Sequence, residues 1–202
     1  MIIKSVDFSK LFDTLRFFFN THLDKKRLSK IEDQLMENIR ILADANFKCY
    51  QANMTVIAER KKDKVDTRLI SDMELQARTV GERRVKAKTA INSLLNSIYP
   101  LTDKKKVEPE SLINDDIVYS VGEMIDRLTI EQIKMADYQS RLNEGAVSEA
   151  TEMVKKIKQS QLWSERVRRY LELKLQEIEQ KGFYEYVEEM RTYDLSGIRD
   201  VF

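Results

Sequence analysis

Residues 120–134, SVGEMIDRLTIEQIK, decide the fold, because they carry both the start signal and the apolar period of an α-helix. Ser120 and Glu123 form a capping box, in which the serine hydroxyl accepts from the Glu123 amide and the Glu123 side chain reaches back to the Ser120 amide. The apolar stripe then follows at heptad-like spacing: Val121, Ile125, Leu128, Gln132 and Met135. The segment predicts a helix that begins after Ser120 and continues to Asn143.

Upstream of this segment, the pattern predicts a short amphipathic helix and a long helical hairpin. Apolar residues fall at helical spacing between Phe8 and Leu23. A second pattern runs from Asp24 to Ile57 without Pro or Gly, and it resumes from Leu69 to Ile98. The polar segment Glu59–Asp66 is the expected hinge, so the two long helices should pack antiparallel.

Downstream, a second hairpin is expected. Gly145 suits the turn, Ser148 suits the cap of the next helix, and Gly182 suits its end. The tail beyond Gly182 is predicted to hold one short helix. We therefore expect an all-α fold of two long antiparallel helical hairpins that form a bundle, with a short N-terminal amphipathic helix and a short C-terminal helix.

The domain organisation follows from one segment. Residues 101–118 directly follow Pro100 and hold Pro109 and clustered charges, which are marks of an exposed linker. This linker separates residues 1–100, with the N-terminal helix and the first hairpin, from residues 119–202, with the second hairpin and the tail. The two parts can also pack together as one domain.

Composition excludes several functional classes. Lys and Arg (35) nearly balance Asp and Glu (34), so the net charge of +1 gives no general attraction to nucleic acid. No apolar run is long enough to span a membrane. With Cys49 and His22 as the single cysteine and histidine, neither a disulfide nor a Cys/His zinc site can form within the chain. A cytoplasmic protein is expected, and nucleic acid is not an expected partner.

The run Ser120–Lys134 resembles the signature helix of small all-helical bacterial families of unknown function. In those families Ser-aliphatic-Gly-Glu-aliphatic-aliphatic-Asp-Lys/Arg recurs, and RTYDL at Arg191–Leu195 is similar to their Met-Tyr-Asn-Asp-like ending. Their genes often accompany glycan-biosynthesis genes. The resemblance implies an α-helical fold and no activity, since none is established for the families.

The motif helix supplies the candidate functional residues: Ser120, Gly122, Glu123, Asp126, Arg127 and Lys134. In a structural interpretation, Asp126 and Arg127 pair half-buried with neighbouring helices and fix their register. In a catalytic interpretation, Glu123 and Asp126 bind Mg²⁺, as E-x-x-D helices do in all-α nucleoside triphosphate pyrophosphatases. The companion acidic motif of those enzymes is only approximated, by the residues Glu32, Asp33 and Glu37.

Two functions therefore remain open. The first is a helical interaction or assembly protein that forms a homodimer or binds a protein partner and needs no cofactor. The alternative is a metal-dependent nucleotide or sugar-nucleotide pyrophosphatase or hydrolase that uses Mg²⁺. They differ in whether Glu123 and Asp126 serve the fold or hold a ligand.

Overall fold

A computed structural model describes residues 3–100, 119–144 and 150–184. In these ranges the chain has six α-helices and no strand: α1 (Ser9–His22), α2 (Lys25–Leu28), α3 (Glu32–Glu59), α4 (Thr67–Ile98), α5 (Val121–Asn143) and α6 (Ala150–Lys181). The expected all-α class is confirmed for this part of the chain. Three predicted features lie outside the described residues: the linker, the turn at Gly145 with the helix cap at Ser148, and the tail helix.

The prediction of one helix from Asp24 to Ile57 is wrong, because the chain turns between α2 and α3. The Asp24 carboxylate caps α2 by accepting from the amides of Lys26 and Arg27. Ile31 then leaves helical geometry, with φ of −130°, before α3 begins. Leu28 and Ile31 are both buried on either side of this turn. The interruption carries no Pro or Gly, which is why the apolar period did not indicate it.

Helices α3 and α4 pack against each other across the predicted hinge. The buried Glu59 at the end of α3 accepts from the Asp66 amide at 3.0 Å and from the Lys62 ammonium. The hydrogen bond from Lys62 lowers the pKa of Glu59. Asp66 in turn caps α4 by accepting from the amides of Arg68 and Leu69. The polar hinge thus ends one helix and starts the next.

The core lies where α5 packs against α3, α4 and α6, and α1 covers α6. Its most enclosed apolar side chains come from five helices: Leu15, Leu35, Ile39, Leu42, Ile91, Leu95, Val121, Ile125, Leu171 and Leu175. Helix α4 contributes buried residues only from Ala87 onward. Its N-terminal half is therefore half-buried or exposed. No helix in the described ranges has the length and apolar character needed to cross a bilayer.

Two buried tyrosines close the end of the core beside the start of α5. Gly182, with φ of +71°, ends α6 in the left-handed conformation that glycine favours, as predicted. The Tyr184 amide then donates to the Tyr99 carbonyl at 2.7 Å. The Tyr184 hydroxyl accepts from the Val121 amide and donates to the Asn92 side chain, both at 2.9 Å. These contacts fasten the end of α6 to α4 and α5.

Tyr99 extends this closure to the start of α2. Its hydroxyl contacts the Glu179 carboxylate and accepts from the Asp24 amide at 3.1 Å. Burial, reinforced by the hydrogen bond to Glu179, raises the pKa of Tyr99 to about 12. The hydroxyl is therefore protonated at neutral pH and can donate to that carboxylate.

Candidate functional site

The start of α5 is capped from two directions. As predicted, the Ser120 hydroxyl accepts from the Glu123 amide at 3.2 Å, and the Glu123 carboxylate accepts from the Ser120 amide at 3.3 Å. Asn92 of α4 adds a second cap, because its carbonyl oxygen accepts from the Gly122 amide at 2.8 Å and its amide donates to the Ser120 hydroxyl at 3.0 Å. The free amides at this helix end are thus bonded partly by the neighbouring helix.

Gly122 of α5 packs directly against the backbone of α4. A Cβ atom placed on it would lie 2.6 Å from the Lys88 carbonyl oxygen and 3.0 Å from the Asn92 side chain. Such distances are shorter than packed atoms tolerate, so only glycine allows the two backbones to meet here. Beside this contact, the Lys88 ammonium lies 3.4 Å from the Glu123 carboxylate.

Asp126 joins three helices. Arg84 of α4 donates to both of its carboxylate oxygens, at 2.8 and 2.5 Å, and the Asn46 amide of α3 donates to one of them at 2.9 Å. The same Asn46 amide donates to the buried Thr129 hydroxyl at 2.6 Å. Asp126 is 5 % exposed, so it is buried rather than half-buried as expected. Because the arginine is bidentate, this pair also fixes the orientation of α4 against α5.

The other two predicted site residues face a different surface. The Arg127 guanidinium lies 4.1 Å from the centre of the Tyr119 ring, and Lys134 pairs with Glu131 at 3.1 Å. Both line a groove between α5 and α6 together with Trp163. The candidate set is therefore split: Ser120, Gly122, Glu123 and Asp126 contact α3 and α4, while Arg127 and Lys134 line the groove.

A second buried polar cluster lies farther along α5. Asp137 is 1 % exposed and accepts from the Tyr50 hydroxyl at 2.8 Å and from Arg141 at 2.7 Å. Burial and the bond to Asp137 raise the pKa of Tyr50. This cluster was not predicted from the sequence. The four-residue spacing of Asp137 and Arg141 was its only local signal.

The proposed metal ligands are already paired with cations. Arg84 bonds Asp126, and Lys88 lies beside Glu123, so Mg²⁺ would have to replace both cations. The acidic residues Asp33 and Glu37 line a separate shallow groove between α3 and α4. Among residues 3–100, 119–144 and 150–184, no three His, Cys, Asp or Glu side chains converge in a group that could hold a metal ion.

Cys49 and His22 each have a packing environment. The Cys49 thiol is half-buried and donates to the Ala77 carbonyl at 3.5 Å, and burial raises the pKa of this thiol. The thiolate that a nucleophile requires is therefore disfavoured. His22 lies in the last turn of α1, with its ring 6.5 Å from that of Phe18.

These contacts define the candidate site as the face of α5 that carries Ser120, Gly122, Glu123 and Asp126 and docks on α3 and α4. Comparison of this chain with protein-family models, with curated proteins and with solved structures finds no match.

Proposed function

We propose that this chain is a cytoplasmic helical interaction or assembly protein, built as a bundle of two helical hairpins. The observation that carries the proposal is the engagement of Ser120, Glu123 and Asp126 by α4 and α3, with Gly122 packed directly on the α4 backbone. The motif helix thus uses its polar groups for docking inside the chain.

The energetics of buried charge support this role. A buried carboxylate is costly unless it is paired, and removal of one partner leaves the other charge unpaired. A ligand that withdrew Asp126 from Arg84 would have to compensate for that loss. Buried polar pairs can instead specify which helices pack together and in which register. The Asp126–Arg84–Asn46 cluster has the geometry for this purpose.

Exposed apolar side chains provide surfaces for a second chain. Phe17 on α1 is 63 % exposed, Leu75 on α4 is 62 % exposed, and Leu162 on α6 is 59 % exposed. A single exposed leucine is ordinary on a protein surface. The N-terminal half of α4, however, has no buried residue, whereas its C-terminal half is packed in the core. Association of two copies would bury these side chains. A homodimer is the simplest assembly with that result.

Self-association is the first testable consequence. Sedimentation velocity across the micromolar range should show a dimer whose population grows with concentration. The double variant Phe17→Glu/Leu75→Glu should shift the protein toward monomer, because a buried charge opposes apolar contact. The matched control Ser9→Glu/Gln76→Glu changes exposed polar residues of the same two helices that lie off the faces of Phe17 and Leu75, and it should leave the dimer intact. A wild type that stays monomeric at all concentrations would contradict the proposed self-association.

The alternative of a metal-dependent pyrophosphatase makes a different demand on the same residues. Glu123 and Asp126 would then exchange Lys88 and Arg84 for Mg²⁺ when a nucleotide binds. Because the two functions predict different responses to metal and nucleotide, one ligand series separates them.

A further inference from the structure

Residues 3–7, here the N-terminal strap, precede α1 and lie across the seam between α3 and α5. The Gln51 side-chain amide of α3 donates to the Ile3 carbonyl at 3.1 Å. The Gln132 side-chain amide of α5 donates to the Asp7 carbonyl at 3.5 Å. The strap has no helical turn. Its two ends are therefore held by two different helices.

Few contacts hold the N-terminal strap. Ile3, 8 % exposed, is its one buried side chain, and it lies outside the main apolar core. Val6 is half-buried, and Lys4 and Ser5 are exposed. Among the described residues, no backbone-to-backbone hydrogen bond joins the strap to a helix. A terminal segment with so few anchors belongs to the least stable part of a fold and opens before the core does.

The strap is anchored to α1 at its other end. The Asp7 carboxylate accepts from the Ser9 amide at 2.9 Å, and this bond lowers the pKa of Asp7. The carboxylate is therefore ionised at neutral pH and keeps the first turn of α1 bonded. Helix α1 itself packs on α6. Release of Ile3 can thus open the strap without displacing α1.

The contacts of the strap indicate which ligand chemistry fits the seam. Both glutamines bond backbone carbonyls, which every extended peptide carries, so these two bonds do not select a sequence. Selectivity comes from the buried position that Ile3 fills. Gln51 and Gln132 are half-buried, and in the part of the chain that the structure describes neither side-chain amide donates to another group. The two amides therefore serve an extended segment alone.

We propose that the seam between α3 and α5 is a peptide-binding seat that the strap occupies, and that an extended segment of a protein partner displaces the strap. The partner segment places an aliphatic side chain where Ile3 lies and offers backbone carbonyls to Gln51 and Gln132. The strap is then an autoinhibitory contact, because a partner must compete with a segment tethered beside the seat. The inference rests on the proposed interaction function and adds its regulation.

A free peptide tests the seat on the full chain. The probe is the acetylated peptide IKSVDF, the sequence of residues 3–8, with fluorescein at its C-terminus. Ile3→Asp should release the strap, because a carboxylate opposes burial, and fluorescence anisotropy should then show saturable peptide binding. Wild type should bind at least about tenfold more weakly, since the tethered strap leaves only a minor fraction of the seats open.

Matched variants locate the binding. Ser5→Asp adds the same charge at an exposed position of the strap, so this variant should bind the peptide as weakly as wild type does. In the Ile3→Asp chain, Gln51→Ala should weaken binding about threefold or more, because it removes the bond to the first carbonyl. Gln34→Ala, at an exposed position of the same helix, should leave binding unchanged. A peptide with Asp in place of its Ile should bind none of these chains.

If Ile3→Asp does not fold, wild type still tests the seat. Isoleucine methyl groups labelled with ¹³C report on Ile3 by nuclear magnetic resonance. Excess unlabelled peptide should move the Ile3 signal toward that of a solvent-exposed methyl group, as the strap is displaced. The signal of Ile91, fully buried in the core, should not move.

Several outcomes would overturn the inference. They are equal peptide binding by wild type, Ile3→Asp and Ser5→Asp, undiminished binding of the peptide with Asp in place of Ile, or an Ile3 signal that does not move. Loss of the dimer in Ile3→Asp would also overturn it, because the strap would then be exchanged between two copies of this chain. The first three outcomes leave the sedimentation result for wild type unchanged, so failure of the seat and failure of self-association are distinguishable.

Discussion

Gly122→Ala should lower the free energy of unfolding by about 2 kcal/mol, although alanine is the better helix former. The added methyl group would lie 2.6 Å from the backbone carbonyl oxygen of Lys88, which cannot move aside as a flexible side chain can. Helices α4 and α5 would have to separate. Separation would stretch the Asn92 bonds to Ser120 and Gly122, which hold the start of α5. Urea unfolding followed by circular dichroism measures the change.

Gly81→Ala is the matched control, because Gly81 lies inside α4 and a Cβ there meets no atom within 4 Å. The same substitution should raise the free energy of unfolding by about 0.5 to 1 kcal/mol, through helix propensity and a less flexible unfolded chain. The two glycines should thus respond with opposite signs. A gain in stability at both positions would show that α4 and α5 do not meet closely at Gly122.

Asp126→Ala should lower the free energy of unfolding by about 3 kcal/mol. The substitution deprives the half-buried Arg84 guanidinium of its bidentate partner, and it also removes an acceptor of the Asn46 amide. Asp72→Ala, at an exposed position on α4, is the control and should change stability by less than about 0.5 kcal/mol. Chemical unfolding of both variants gives the comparison.

A double-mutant cycle attributes the loss to the pair. Once Asp126 is absent, replacing Arg84 with Met should cost much less than it does in the wild type, because the partner charge has already gone. The coupling free energy should exceed about 1 kcal/mol. Strict additivity of Asp126→Ala and Arg84→Met would mean that the two residues do not stabilise each other in solution.

Local signals made much of the fold predictable. The capping box was predictable because its two hydrogen-bonding residues, Ser120 and Glu123, lie within one helical turn. The end of α6 at Gly182 and the polar hinge between α3 and α4 were predictable for the same reason, since each is indicated by residues close together in the sequence. The helical spacing of the apolar residues predicted the all-α class, and the described ranges confirm it.

Contacts between distant residues were not predictable in this way. Asn46 and Asp126 are 80 positions apart, and Arg84 and Asp126 are 42 apart, so no local pattern pairs them. The groove between α5 and α6 was not predicted for the same reason, since Arg127 and Trp163 line one cavity only after the two helices pack.

In the proposed function, Glu123 and Asp126 serve the docking of α5 rather than the binding of a ligand. A thermal-shift series tests it on wild type, Glu123→Ala and Asp126→Ala, with and without Mg²⁺ or Mn²⁺ and a panel of nucleoside triphosphates and sugar nucleotides. Any ligand that binds only the folded state must raise the melting temperature. We expect no metal-and-nucleotide shift in wild type, and a lower melting temperature for Asp126→Ala in every condition. A shift in wild type that is lost in both variants would contradict the claim and favour the metal-dependent enzyme.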